Sequence, residues 1–385
     1  GGVLGGSLTG ILPTMDHLDR SRFVPSLALF EPKGIEADLV ARGIPVHVLA
    51  NLPHPLGTVH PSRLGRAIVR THDLFASVRP RARALATLYR RERPAVVYLA
   101  NGLTSALPGV IAAARCGIPV ICHEKGFRRV GPVERLMSRW IDTCICMTDD
   151  IVAHYRGRNL HPRCFRTILD GIDTHAYTPG GGAAVRREFG VAPDAPLVGI
   201  VGHIQHWKGQ HIVVDAMALA RREIPDLRCL VVGGVHRQGL AYAEQLRARI
   251  AEADLGDHVI LTGARRDVTA CMDAMDIVLH SSVTPEPFGR VILEAMALGR
   301  PVIAPREGGP QLMVEDGKTG LCVTPRDPAA LAAAIVGLLR DPGRRDTMGR
   351  AGRARAATVF DIRQHVRAIE SVLDDALAFR TSTAE

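Results

Sequence analysis

The chain has 385 residues, 46% hydrophobic and 23% charged, a balance that excludes a disordered chain and, at roughly 100–200 residues per domain, predicts two domains. The net charge of +9 sits in one half: residues 1–178 hold 23 Lys and Arg against 14 Asp and Glu, while residues 179–385 hold 25 of each. The longest apolar run, Pro328–Leu339, falls short of the roughly 20 residues a membrane helix needs; no secretory leader pattern opens the sequence; and eight cysteines without a C-x-x-C pair exclude a zinc or disulfide framework and point to a reducing cytoplasm.

Short apolar runs bounded by Gly, Pro or Asn predict buried parallel strands at Phe23–Phe30, Val46–Ala50, Ala95–Ala100, Pro119–Cys122, Cys144–Met147 and Thr167–Leu169. Helical stretches such as Leu103–Cys116 and Val133–Ile141 separate them. Gly5-Gly6 reads as the turn after a first strand, and too little sequence precedes it to form one, so the expectation is a truncated N-terminal strand. The glycine-rich segment Thr178–Gly182 reads as a linker. Beyond it, strands are predicted at Leu197–Val201, Arg228–Val232, His258–Leu261, Ile277–His280, Pro301–Ala304 and Gly320–Val323, again with helices between. Two runs of alternating β and α units predict an α/β chain of two doubly wound, parallel-sheet, Rossmann-like domains. Their predicted extents are 1–178 and 179–360, with a C-terminal helix over 361–385 packing back towards the first.

In Glu286–Glu294 two carboxylates stand eight positions apart around Phe288-Gly289, with a helix-favouring run from Val291. That pattern puts Glu286 in a loop and Glu294 about one turn inside a helix. A helix N-terminus offers unpaired N–H groups to a phosphate, and Gly289 lets the backbone approach it. Hydroxyls on either side of a diphosphate would then face the two carboxylates, as in a nucleotide-sugar; the bland reading is a surface Glu286 and a solvated Glu294. Gly202-His203-Ile204-Gln205-His206-Trp207-Lys208-Gly209 follows the strand Leu197–Val201, at the carboxyl end where α/β sheets bind ligands. Lys208 and His203 are candidates for the diphosphate. Gly5-Gly6 is a glycine turn ahead of a helix. His123 closes the strand Pro119–Cys122, where a histidine is either structural or catalytic.

In this order the motifs resemble those of the GT-B glycosyltransferases of family 4. The paired-Glu motif is EPFGRVILE from Glu286 to Glu294, the phosphate-binding motif is Gly202–Gly209, Asp170–Asp173 matches N-G-[IV]-D, and Gly308-Gly309 through Gly320 matches the late glycine segment. The resemblance implies two domains facing a central cleft, the second binding a nucleoside diphosphate sugar and the first a hydroxyl acceptor. It implies that Glu286 meets the donor sugar, Glu294 the ribose, Lys208 with the amides near Phe288-Gly289 the diphosphate, and Gly5-Gly6 the phosphates from above. His123 would lie near the anomeric side. It further implies a retaining transferase without a metal or other cofactor, serving polysaccharide or glycolipid synthesis. Three positions depart from the pattern: His203 stands for the usual Arg, Asp170 for Asn and Leu312 for Glu. The competing reading is a non-catalytic nucleotide-sugar-binding protein or scaffold.

The basic half predicts an anionic partner or simply a solvated surface. Arg79, Arg81, Arg83, Arg90, Arg91 and Arg93 form one cluster. Lys125, Arg128 and Arg129 lead into a stripe of Val133, Leu136, Met137, Trp140 and Ile141 beside Arg135 and Arg139. These features predict a cytoplasmic protein that docks peripherally on an anionic membrane face; nucleic acid is not expected.

Overall fold

The computed structural model describes residues 6–49, 52, 72–235 and 239–382. The chain forms two compact units, residues 1–170 with 362–385, and residues 171–361. The first unit therefore ends at Asp170, ahead of the Thr178–Gly182 linker. The intervening segment is stapled to the second unit instead: Ile172 N–H donates to the Phe360 carbonyl at 2.7 Å, and Gly180 and Gly182 N–H donate to Asp273 Oδ2 at 2.8 and 2.9 Å.

In the first unit β1 (Leu27–Leu29) and β2 (Val46–Val48) form a parallel pair. A separate parallel sheet runs β3 (Val97–Leu99), β4 (Val120–Glu124), β5 (Thr143–Cys146), β6 (Cys164–Thr167). The strands β4 and β5 are buried throughout, which is why they read as continuous apolar runs without alternation. Helix Gly6–His17 lends Ile11 and Met15 to a small core with Leu39 and Ile44. The last helix, Ile362–Ser382, sets Ile369, Val372 and Ala376 against Ile121, Ile145 and Ile168 of the four-stranded sheet. Gly5 and the predicted missing strand before it lie outside the described residues.

The second unit is one six-stranded parallel sheet of β7 (Leu197–Val201), β8 (Arg228–Val232), β9 (Val259–Gly263), β10 (Ile277–Leu279), β11 (Val302–Pro305) and β12 (Gly320–Val323). Its order is β12-β11-β10-β7-β8-β9. The chain leaves β7 towards one edge, then returns to build outward from β10 on the other side. The order reverses between β7 and β10, which are hydrogen-bonded neighbours. In doubly wound sheets the crevice at the carboxyl ends of such a strand pair is where ligands bind. Among the described residues no helix is long and apolar enough to cross a membrane.

Candidate functional site

The loops that leave β7 and β10 meet at that crevice. Gly209 N-caps helix Gln210–Ala220 in a left-handed conformation, and Ser281 Oγ donates to the carbonyls of Lys208 and Gly209 at 3.1 and 3.0 Å. Val283 N–H donates to the Trp207 carbonyl at 2.9 Å. These backbone stitches hold Lys208 against the loop after β10, with Gly202 beside its side-chain stem. The Lys208 ammonium donates to Glu286 Oε1 at 2.8 Å and stands 4.2 Å from the centre of the Trp207 ring. On the other oxygen of Glu286, His280 Nε2 lies at 2.6 Å and the Ser282 hydroxyl donates at 2.8 Å. Burial alone would raise the Glu286 carboxyl; the hydrogen bond and charge of His280, with Lys208, outweigh it and hold the carboxyl far below its usual range. A fixed negative hub therefore lies between a cation and an imidazole.

Glu286 leads into helix Arg290–Ala297 through Phe288, which is buried, and Gly289, the helix N-cap, whose φ is 107°. That conformation favours glycine. A Cβ on Gly289 would also stand 3.0 Å from Ile292 and 3.5 Å from His280 Nε2. The helix therefore begins directly after the Gly289 turn, in the same loop that carries Glu286. Glu294 is the fifth residue of the helix, as its spacing predicted. Its carboxyl meets Arg290 Nε at 3.2 Å and the Tyr177 hydroxyl, and burial pushes it up despite both. The late glycine segment supports the loop from beneath: Gly309 N–H donates to the Glu286 carbonyl at 2.7 Å, and a Cβ on Gly309 would collide with the Pro287 carbonyl.

Lys208, Glu286, Phe288, Gly289, Gly202 and Glu294 are thus drawn to one end of one sheet. His203 lies in the same loop, its carbonyl accepting from Gln210 Nε2 at 2.9 Å. Arg265, just beyond β9, is committed to Glu188 and Asp267 by hydrogen bonds. Sequence reasoning passed over His280 and Ser282, although the carboxyl-end rule that selected Gly202–Gly209 after β7 applies equally to His280–Ser282 after β10.

His123 closes β4 in the first unit and is 1% exposed. The Tyr98 hydroxyl lies 2.6 Å from its Nδ1, and the ring stacks on His365. Among the described residues its Nε2 has no hydrogen-bond partner; Asp170 Oδ1 stands 3.9 Å away, too far to bond. Burial, then the Lys125 ammonium, push the imidazole down to about 3, so it is neutral near pH 7. Burial would raise Asp170, but Lys125, with its ammonium at 3.2 and 3.1 Å from the two oxygens, holds the carboxyl low. A neutral ring with an ionised carboxylate beyond Nε2 favours the tautomer that carries its proton there, so Tyr98 donates to Nδ1. Tyr98 and Asp170 were not among the predicted site residues; only tertiary structure brings positions 98, 123 and 170 together. Gly6 is the first residue of helix Gly6–His17. Among the described residues no group of three or more His, Cys, Asp or Glu side chains is placed to hold a metal.

Comparison with known proteins agrees with this architecture. Residues 5–168 match the glycosyl transferase 4-like domain, and residues 183–355 match the glycosyl transferases group 1 model. Among curated proteins the chain is 32% identical to a D-inositol 3-phosphate glycosyltransferase of Corynebacterium kroppenstedtii over 60% of its own length and 51% of the relative's. It is 28% identical to the lipopolysaccharide core biosynthesis mannosyltransferase LpsB of Rhizobium meliloti over 76% of this chain and 84% of that one. The chain spans about half the length of the D-inositol 3-phosphate glycosyltransferases it matches. Among solved structures, Anabaena HepE in complex with UDP and glucose superposes with a TM-score of 0.79 at 25% identity, covering 97% of each chain. Two matched domain models, parallel sheets in both units and a shared GT-B fold place this chain in the glycosyltransferase family of the group 1, family 4 type.

Proposed function

We propose that the chain is a retaining glycosyltransferase that moves a hexose-type sugar from a nucleoside diphosphate sugar to a hydroxyl of a glycan, a lipid-linked sugar or a small molecule. The observation that carries this reading is the His280–Glu286–Lys208 chain, set at the β7/β10 crevice beside the N-terminus of helix Arg290–Ala297. Cleaving the bond between the anomeric carbon and the phosphate oxygen places negative charge on the leaving diphosphate. Lys208 donates one ammonium proton to Glu286 and keeps two for phosphate oxygens. Together with the helix amides it supplies the stabilisation that dominates such steps. Glu286, held ionised, accepts hydrogen bonds from donor-sugar hydroxyls; Glu294 takes the ribose. The acceptor oxygen attacks the same face that the diphosphate leaves, and the departing phosphate oxygen takes the acceptor proton, so no protein nucleophile and no metal enter the scheme. The named role of LpsB in lipopolysaccharide core biosynthesis suits a product in cell-envelope polysaccharide or glycolipid, and acceptor binding, with His123, is assigned to the first unit.

The test is a panel of UDP-, GDP- and ADP-sugars scored for thermal stabilisation and for release of the nucleoside diphosphate with and without acceptor. Stabilisation with acceptor-dependent release, resistant to EDTA, is the expected result. Stabilisation without turnover under any acceptor would assign the chain to the non-catalytic reading. Glu286→Gln should depress transfer more than binding of bare nucleotide, and Glu294→Ala the reverse.

A further inference from the structure

The predicted apolar stripe at 133–141 divides in the folded unit. Ile141 is 1% exposed, and Val133 and Met137 are half-buried; Leu136 and Trp140 are 56% and 46% exposed. Helix Pro132–Ser138 thus turns Leu136 outward, and the turn that follows it exposes Trp140 while burying Ile141. Phe127, 42% exposed, lies in the preceding loop.

Side-chain and backbone contacts tie these residues into one continuous surface. The Phe127 ring meets His154 edge-on at 5.1 Å, and His154 Nε2 donates to the Arg128 carbonyl at 2.9 Å. Arg158 NH1 reaches His154 Nδ1 at 3.1 Å, and the Arg158 carbonyl accepts from Arg135 Nε at 3.0 Å. The path runs from Phe127 through His154 and Arg158 to the helix that bears Leu136 and leads into the turn with Trp140. Along it Arg128, Arg129, Arg135, Arg139 and Arg158 are exposed, and none has a carboxylate partner among the described residues. Glu134, inside the helix, is buried and accepts from Gly131 N–H; Lys125 is spent on Asp170. The exposed carboxylate Asp150 stands one turn before His154.

We propose that this face of the first unit docks on an anionic lipid bilayer, with Trp140, Leu136 and Phe127 entering the headgroup boundary and the five arginines facing lipid phosphates. Arginine beside exposed tryptophan is the chemistry of the membrane interface, where an amphipathic ring sits at headgroup level and basic side chains snorkel. A purely electrostatic partner would not need the three apolar side chains, and a neutral apolar partner would not need unpaired guanidinium groups. This inference is independent of the donor-site reading.

The experiment uses the 385-residue chain with Trp207→Phe, so that Trp140 is the one remaining tryptophan. Vesicles of phosphatidylcholine alone and of phosphatidylcholine with phosphatidylglycerol are compared by co-sedimentation and by Trp140 emission, with soluble glycerol phosphate as a third arm. The expected result is binding to anionic vesicles only, a blue shift of Trp140, and release as salt rises from about 0.1 M towards 1 M. Arg128→Gln with Arg139→Gln should lower the partition coefficient roughly twenty- to thirty-fold, about five-fold per arginine. Trp140→Ala, whose side chain is exposed, should weaken binding at an unchanged melting temperature. Equal binding to neutral vesicles, no vesicle binding, a Trp140 response to glycerol phosphate alone, or vesicle binding without an emission shift would each overturn the proposal.

Discussion

Each unit buries a histidine, a carboxylate and a lysine in one cluster, and the two clusters differ in which group is the hub. In the second unit Glu286 is the centre: His280 at 2.6 Å, Ser282 at 2.8 Å and Lys208 at 2.8 Å all point at it. In the first unit His123 is the centre of the burial, but its nearest carboxylate is 3.9 Å away and its bonded partner is Tyr98. The same three residue types therefore produce a carboxylate locked in its charged form in one unit and an imidazole locked in its neutral form in the other. In the first cluster burial, and then the Lys125 ammonium, outweigh the attraction of Asp170 and keep the imidazole neutral; in the second the hydrogen bonds and charges around Glu286 outweigh its burial and keep the carboxylate charged.

The comparison can be broken most directly at its charged hub. Lys208→Ala removes the cation from a largely buried pair and should lower kcat/KM roughly 10²–10³-fold, with a smaller fall in stability because His280 and Ser282 still bond Glu286. Donor turnover and thermal melts measure the two effects separately, and unchanged kinetics would refute the phosphate role.

Acid should expose the neutral hub. His123 binds its proton at about 3 in the folded chain and near 6.5 when unfolded. Between those values the unfolded state holds more protons, so stability falls as pH drops through the window, by at most about 1.4 kcal/mol per pH unit. Below about pH 4.3 the depressed Glu286 adds to the loss with the same sign. Melting curves of wild type and His123→Gln should diverge in slope between about pH 6.5 and 4.5; parallel curves would show that His123 is not held neutral.

Gly309→Ala tests whether the second hub depends on its support. The new methyl meets the Pro287 carbonyl and, at 2.6 Å, Phe288 Cα. Overpacking of this kind costs roughly 1–3 kcal/mol, and the expected signature is weakened donor binding, since the displaced loop carries Glu286. Smaller still, and confined to the first unit, Tyr98→Phe leaves the buried Nδ1 of His123 without a donor. A loss of about 1–2 kcal/mol follows, read by urea unfolding, with donor affinity in the second unit unchanged.

Much of the second unit was legible in the residues. Leu197–Val201, Arg228–Val232 and Gly320–Val323 were predicted with the boundaries observed, because strands buried on both faces are uninterrupted apolar runs ended by glycine or a charged residue. Glu286, Phe288, Gly289 and Glu294 share one loop and helix, so their relation is local and sequence spacing carries it. The first unit was less legible. Its early strands shrank to three residues, Leu27–Leu29 and Val46–Val48, where apolar character outran actual pairing, and its boundary moved from 178 to 170 because Asp273 and Phe360 hold the linker to the other unit.

The amino-acid order by itself determined the alternation of strands and helices, the one-sided charge, and the motifs that mark a glycosyltransferase, all of which follow from local periodicity and from residues close in the chain. Tertiary structure alone decided the pairs that span long separations: Lys208 with Glu286 across 78 positions, Tyr98 with His123 across 25, and Lys125 with Asp170 across 45. Only the sheet order β10-β7 brings the first pair to one crevice. Only the depth at which each cluster is buried settles which group carries charge, since a side chain's pKa belongs to its surroundings and is written in no single residue.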